Sequence, residues 1–179
     1  MSSMEAANEP DGRLMALGNQ LIEVHDWLRE ELARLREDVD SWLDGGGERP
    51  RELRAHCLAF CSAVSRHHGG EDGVAFPVLA EEFPELRPVI EELRRDHEAV
   101  AGILRGLDEV LGGLGANADG DRDPGKARRL RAEMDGLAAL LESHFGYEER
   151  RIVAALNALG GASRFGAAPD FLSTGSTGA

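Results

Sequence analysis

Four stretches of this 179-residue chain repeat apolar side chains at three- and four-residue steps, and none alternates apolar with polar residues as a strand does. That spacing predicts helices only. In the first stretch Leu14, Leu17, Leu21, His25, Leu28, Leu32, Leu35, Val39 and Trp42 share a face up to "DGGGERP", so a helix is expected from about Leu14 to Leu43. The second carries Leu53, Cys57, Phe60, Val64, His67, Glu71, Val74 and Val78 and stops near "EEFPELRP". Pro77 lacks a backbone donor, which predicts a kink or short break there. The third carries Leu86, Ile90, Leu93, His97, Val100, Leu104, Leu107, Leu111 and Leu114. The fourth carries Leu130, Met134, Leu137, Leu141, His144, Glu148 and Ile152.

Short connections make sequential helices antiparallel, so the predicted fold is all-α, an antiparallel up-down four-helix bundle. It should occupy residues 13–160, between a disordered N-terminus over 1–12 and a flexible C-terminal tail over 161–179, "ASRFGAAPDFLSTGSTGA" being rich in small and turn residues.

Each of the four stripes is broken by a histidine, His25, His67, His97 and His144, and two are broken again one turn later, by Glu71 and Glu148. Burying such groups costs several kcal/mol each unless they are paired or bound to metal. Their depth is the test of a common site. Counted from the loops at ~1.5 Å per residue, the six lie level to within about one turn of ~5.4 Å. An internal echo supports convergence: "HHGGEDGVAFPVL" from His67 and "HFGYEERRIVAAL" from His144 align both histidines, both glutamates, Gly69 with Gly146, and Leu79 with Leu156. Four imidazoles and two carboxylates suit a pair of first-row ions, each glutamate able to bridge both. Iron is favoured, with manganese or zinc as alternatives.

His68 and Asp72 form a competing pair at the same spacing, but they lie one residue round the helix from Val64, Val74 and Val78. They are expected to flank the site as supporting partners or solvated surface. His56 lies about 16 Å along the axis from His67 and should be a surface or interhelix histidine. Asp96 either orients a ligand imidazole or is solvated, and Glu98 and Glu149 read as solvated faces. Tyr147, the single tyrosine, is a candidate proton donor or redox residue, the alternative being packing with its hydroxyl at the surface. The glycine shared as Gly69 and Gly146 is expected to let a neighbouring helix or a small ligand approach. The alternative is a tolerated surface glycine.

The ordered set of His25, "HHGGED", "DHEAV" and "HFGYEE" resembles the hemerythrin-like family, or HHE cation-binding domains, over roughly residues 14–160. The resemblance implies His25, His67, Glu71, His97, His144 and Glu148 as ligands of a non-haem, carboxylate-bridged pair of iron ions. The oxygen carriers of that family have a second histidine on the third helix, where this chain has Ala101. An extra open iron position follows, which shifts the expected function from reversible oxygen carriage to binding and reducing or activating oxygen, peroxide or nitric oxide. If the protein turns over, it would be a di-iron oxidoreductase of peroxidase, catalase or oxidase type. A sensor or iron-binding module without turnover is the alternative.

Acids outnumber bases 33 to 20, for a net charge of -13, which argues against nucleic acid and anionic membrane partners. No apolar run reaches the ~20 residues of a membrane span. Without a signal-like start, the chain is expected in the cytoplasm. Cys57 and Cys61, one helical turn apart, read as packed thiols rather than a disulfide.

Overall fold

Residues 16–45, 50–113, 124–159 and 170–174 are described by the computed structural model, and they form helices without strands. The long elements are α1 (Leu17–Leu43), α2 (Pro50–Gly70), α3 (Phe76–Glu82), α4 (Arg87–Gly112) and α5 (Pro124–Ala158). A π-helical turn, Glu71–Ala75, joins α2 to α3, so these two make one arm of a four-armed bundle. The expected disordered N-terminus, with Leu14 and Leu114, lies outside the described residues.

Cross-helix bonds give the directions of the arms. On α1 and α5, Arg29 meets Glu142, Arg36 meets Asp135 and Asp44 meets Arg131, so the numbers run in opposite senses. On α1 and α2, His56 meets Asp38 while His67 meets His25. On α4 and α5, Tyr147 meets Glu92 while Arg129 meets Glu109. Between the second arm and α4, Arg87 meets the Ala80 carbonyl while His97 meets Asp72, so consecutive arms are antiparallel, and α1 closes the ring against α5.

The stripes read from the sequence are buried along α1, α4 and α5. They divide into two apolar slabs. One contains Leu28, Leu35, Leu53, Val64, Val100, Leu107, Leu137 and Leu141, and the other Leu17, Leu21, Phe76, Leu79, Leu93, Ile152 and Leu156. Burying each such side chain contributes about 1.5–3 kcal/mol, and their number lets the fold carry a polar layer between them.

The second arm departs from expectation. The Phe76 N–H donates to the Glu71 carbonyl, a five-residue step that widens the helix by one residue. Pro77 explains the place: in a continuous α-helix it offers Gly73 no donor and its ring crowds that carbonyl. The break thus falls in the turn before the proline. Its consequence is a slip of the stripe by one position, so Val74, expected inside, is 44% exposed, while Ala75, Phe76 and Leu79 are buried.

The tail also departs from expectation. Residues 160–169 and 175–179 are outside the described set, but Asp170–Leu172 forms a 3-10 turn and Phe171 is fully buried in the second slab. It sits on Gly70, where an added Cβ would meet the Phe171 backbone nitrogen at 2.7 Å. Gly69 meets nothing within 4 Å and Gly146 only the end of the Arg150 side chain, so the helix-approach role assigned to that shared glycine belongs to Gly70. In thermal denaturation, Gly69→Ala should leave stability unchanged or raise it by up to about 1 kcal/mol. Gly70→Ala should lower it by about 1–3 kcal/mol by displacing Phe171.

Candidate metal centre

Between the two slabs the structure brings together all six residues that interrupt the stripes. His25, His67, Glu71, His97, His144 and Glu148 are each buried. The His25 and His67 Nε2 atoms face each other at 3.2 Å, and so do those of His97 and His144. Glu71 Oε1 lies 3.2 Å from His67 Nε2 and 3.6 Å from His97 Nε2. The two oxygens of Glu148 divide similarly: Oε1 is 3.8 Å from His25 and Oε2 is 3.0 Å from His144. Each carboxylate therefore reaches both histidine pairs.

The outward nitrogens explain why the inward ones point as they do. Nδ1 donates to Glu149 Oε1 in His25 (3.0 Å), to the Phe171 carbonyl in His67 (2.6 Å), to Asp72 Oδ1 in His97 (2.8 Å) and to Asp96 Oδ2 in His144 (3.1 Å). A carbonyl or ionised carboxylate only accepts, so the proton is on Nδ1 and a neutral ring presents its Nε2 lone pair inward. Such outer acceptors fix the orientation and basicity of metal-binding imidazoles.

Two of these partners, Glu149 and the Phe171 carbonyl, were not legible in the sequence as partners. Glu149, expected to be a solvated face, is 22% exposed and is held by Arg29, which also grips Glu142. Of the two alternatives for Asp96, the orienting one is found, and Asp72 performs the same task for His97. Phe145 stacks on His25 with ring centres 4.2 Å apart and walls the site. His56 bonds Asp38 across α1 and α2, away from the centre, and Cys57 and Cys61 are free thiols. The Tyr147 hydroxyl donates to Glu92 on the exposed face of α4 and α5. Glu92 raises its pKa, and a hydroxyl at the surface is the alternative the sequence offered for this residue.

His68 is the largest departure. Expected to flank the site, it is buried, and its ring stacks on His97 at 3.8 Å. Two groups of donors result: His68, Glu71, His97 and His144 in one, and His25, His67 and Glu148 in the other, with potential ligand atoms in each within 4.8 Å of one another. The slip at the π turn conceals this residue in the sequence. His68 is four residues after Val64 and seven before Ala75, both buried, but Val74 and Val78 misplace the stripe.

The donor chemistry fits a cation. Among buried atoms, His68 Nε2, Glu71 Oε1 and both Glu148 oxygens have no hydrogen-bond partner. Unsatisfied groups of this kind cost about 1–3 kcal/mol each, and more when charged. Protons are the competing occupants. Burial, reinforced by Glu148, pushes the Glu71 carboxyl well above its usual range. Burial opposes the charging of Glu148, yet Glu71 and His144 hold its pKa well below normal. Burial likewise opposes charging of His144, but Glu148 and Asp96 raise it. Burial and neighbouring histidines lower His67 to about 3 and push His68 well down, leaving both neutral at pH 7.

Loading a metal must therefore displace protons from Glu71 and His144, both more basic than normal. Affinity for a divalent ion should rise with pH above the ordinary histidine value of 6.5, with protons released into a weakly buffered solution. A flat pH profile without proton release would contradict this.

No curated protein and no solved structure matched the chain. The model of the hemerythrin HHE cation binding domain matches residues 17–156, well over half the chain and every member of the buried cluster. The six buried donors and this match agree: the chain belongs to the hemerythrin HHE cation-binding domain family.

Proposed function

We propose that the centre holds two iron ions bridged by Glu71 and Glu148, with His25, His67, His97 and His144 as further ligands. The carrying observation is the four Nε2 atoms aimed inward by their Nδ1 bonds, with each glutamate placed to reach both histidine pairs. Manganese or zinc would satisfy the same donors. When bound, the iron pair supplies electrons and a coordination position at which oxygen, peroxide or nitric oxide is bound and reduced or activated.

The chain's own residues provide the setting. Arg29 holds Glu149, which holds His25, and the apolar slabs with Phe145 keep bulk water from the donors. A cleft of about 260 Å³ between α2 and α4 reaches the centre at His68 and His97, with Gly69 on its wall. This gives a small oxidant a route, and the absent side chain at Gly69 widens it. Among the described residues no helix is long and apolar enough to cross a membrane. The free thiols and net negative charge favour a cytoplasmic setting without nucleic acid or membrane partners.

Sensing without turnover is a second reading, favoured by the bond from His67 to the Phe171 carbonyl. A change at the metals that moves His67 would reach the C-terminal segment directly.

Anaerobic iron loading followed by peroxide or oxygen with a reductant separates the two. The oxidoreductase reading expects many equivalents of oxidant consumed per iron pair. Consumption that stops at one equivalent, with a reversible spectral change, would leave sensing. His144→Ala should lose at least half the bound iron, whereas a metal-free bundle would show no stoichiometric iron even in the parent protein.

A further inference from the structure

His68 has no role in the six-ligand reading, although it is the most deeply placed polar side chain outside that set. Its ring is 6% exposed, lies 11° from parallel with the His97 ring at 3.8 Å, and meets His144 edge-on at 5.0 Å. Its Nε2 is buried with no hydrogen-bond partner. Stacking accounts for the ring, but not for a buried nitrogen left bare at a cost of about 1–3 kcal/mol. A nitrogen of His68 also lies within 4.8 Å of ligand atoms on Glu71, His97 and His144, and turning the ring out of its stack on His97 would aim its in-plane lone pair at an ion held by those three.

The neighbouring helix has room for this arrangement. Ala101, one turn after His97 on α4, lines the same cleft as His68. A histidine at position 101 would project from the His97 face of α4, as residues four apart do. With alanine there, the space is approached from α2 instead.

We propose that His68 is a fifth histidine ligand, completing the group of Glu71, His97 and His144 from α2 in the place that Ala101 leaves vacant on α4. The inference rests on the metal-centre reading above. It changes where the centre is open. With Glu71 and Glu148 shared, His68, His97 and His144 then serve one ion and His25 and His67 the other, so the less filled position falls beside His25 and His67 and not beside Ala101.

The test is metal binding by the full chain, read as iron or zinc stoichiometry and as affinity in competition with a chelator. His68→Phe keeps a ring to stack on His97 but removes the nitrogen. His68→Ala removes both, and His68→Ala with Ala101→His returns a donor from α4. The parent should bind two ions. His68→Phe and His68→Ala should keep one tightly and weaken the other by at least about 10-fold, and the double variant should recover most of the loss. Parental stoichiometry and affinity in His68→Phe would overturn the proposal and leave His68 a stacking residue. No uptake by the parent would overturn the metal-centre reading, and this proposal with it. If His68→Ala does not fold, His68→Phe decides alone, its helicity checked by circular dichroism.

Discussion

The structure is organised around a repulsion it must contain: imidazole nitrogens facing each other at 3.2 Å in two pairs, with two buried carboxylates between them. Left to themselves, these side chains would rotate or draw in water. They are prevented from doing so at their outer edges, where each Nδ1 is tied to an acceptor on another element. The anchors come from α5, the C-terminal turn, the π turn and α4, so the orientation of the donors depends on the whole bundle being assembled. The two apolar slabs supply the free energy that holds this polar layer closed, and a cation turns the repulsion into attraction.

Much of this was legible in the sequence because helical periodicity is local. Leu17 to Trp42, Ile90 to Leu111 and Leu130 to Ile152 occupy the faces their spacing predicts, and the histidines that interrupt them meet. The unread parts share a physical cause, which is that local spacing does not encode them. One extra residue in the π turn shifts the phase after Glu71, exposing Val74 and concealing that His68 belongs inside. The bond from His67 to Phe171 joins residues 104 apart, and no periodicity signals it. Glu149 looks like surface because its partners, His25 and Arg29, lie on another helix.

The slip has a functional reading as well as a geometric one. It places Asp72 where its carboxylate accepts from His97 while Glu71, one residue earlier, faces the centre. Two adjacent acids thus take different tasks. The same arm places His67 and His68 in different donor groups. The fourth arm, an unbroken α-helix, offers only His144 and Glu148 from the equivalent motif, with Phe145 packed at the position matching His68. The internal echo seen in the sequence is therefore real for the shared ligands and broken where the two arms serve different ends.

Anomalous diffraction at the iron edge from iron-loaded crystals would locate the ions among these donors. Two peaks are expected within the buried layer, one beside His68, His97 and His144 and one beside His25 and His67, with Glu71 and Glu148 between them. A single peak, or iron found only on the acidic surface, would contradict it.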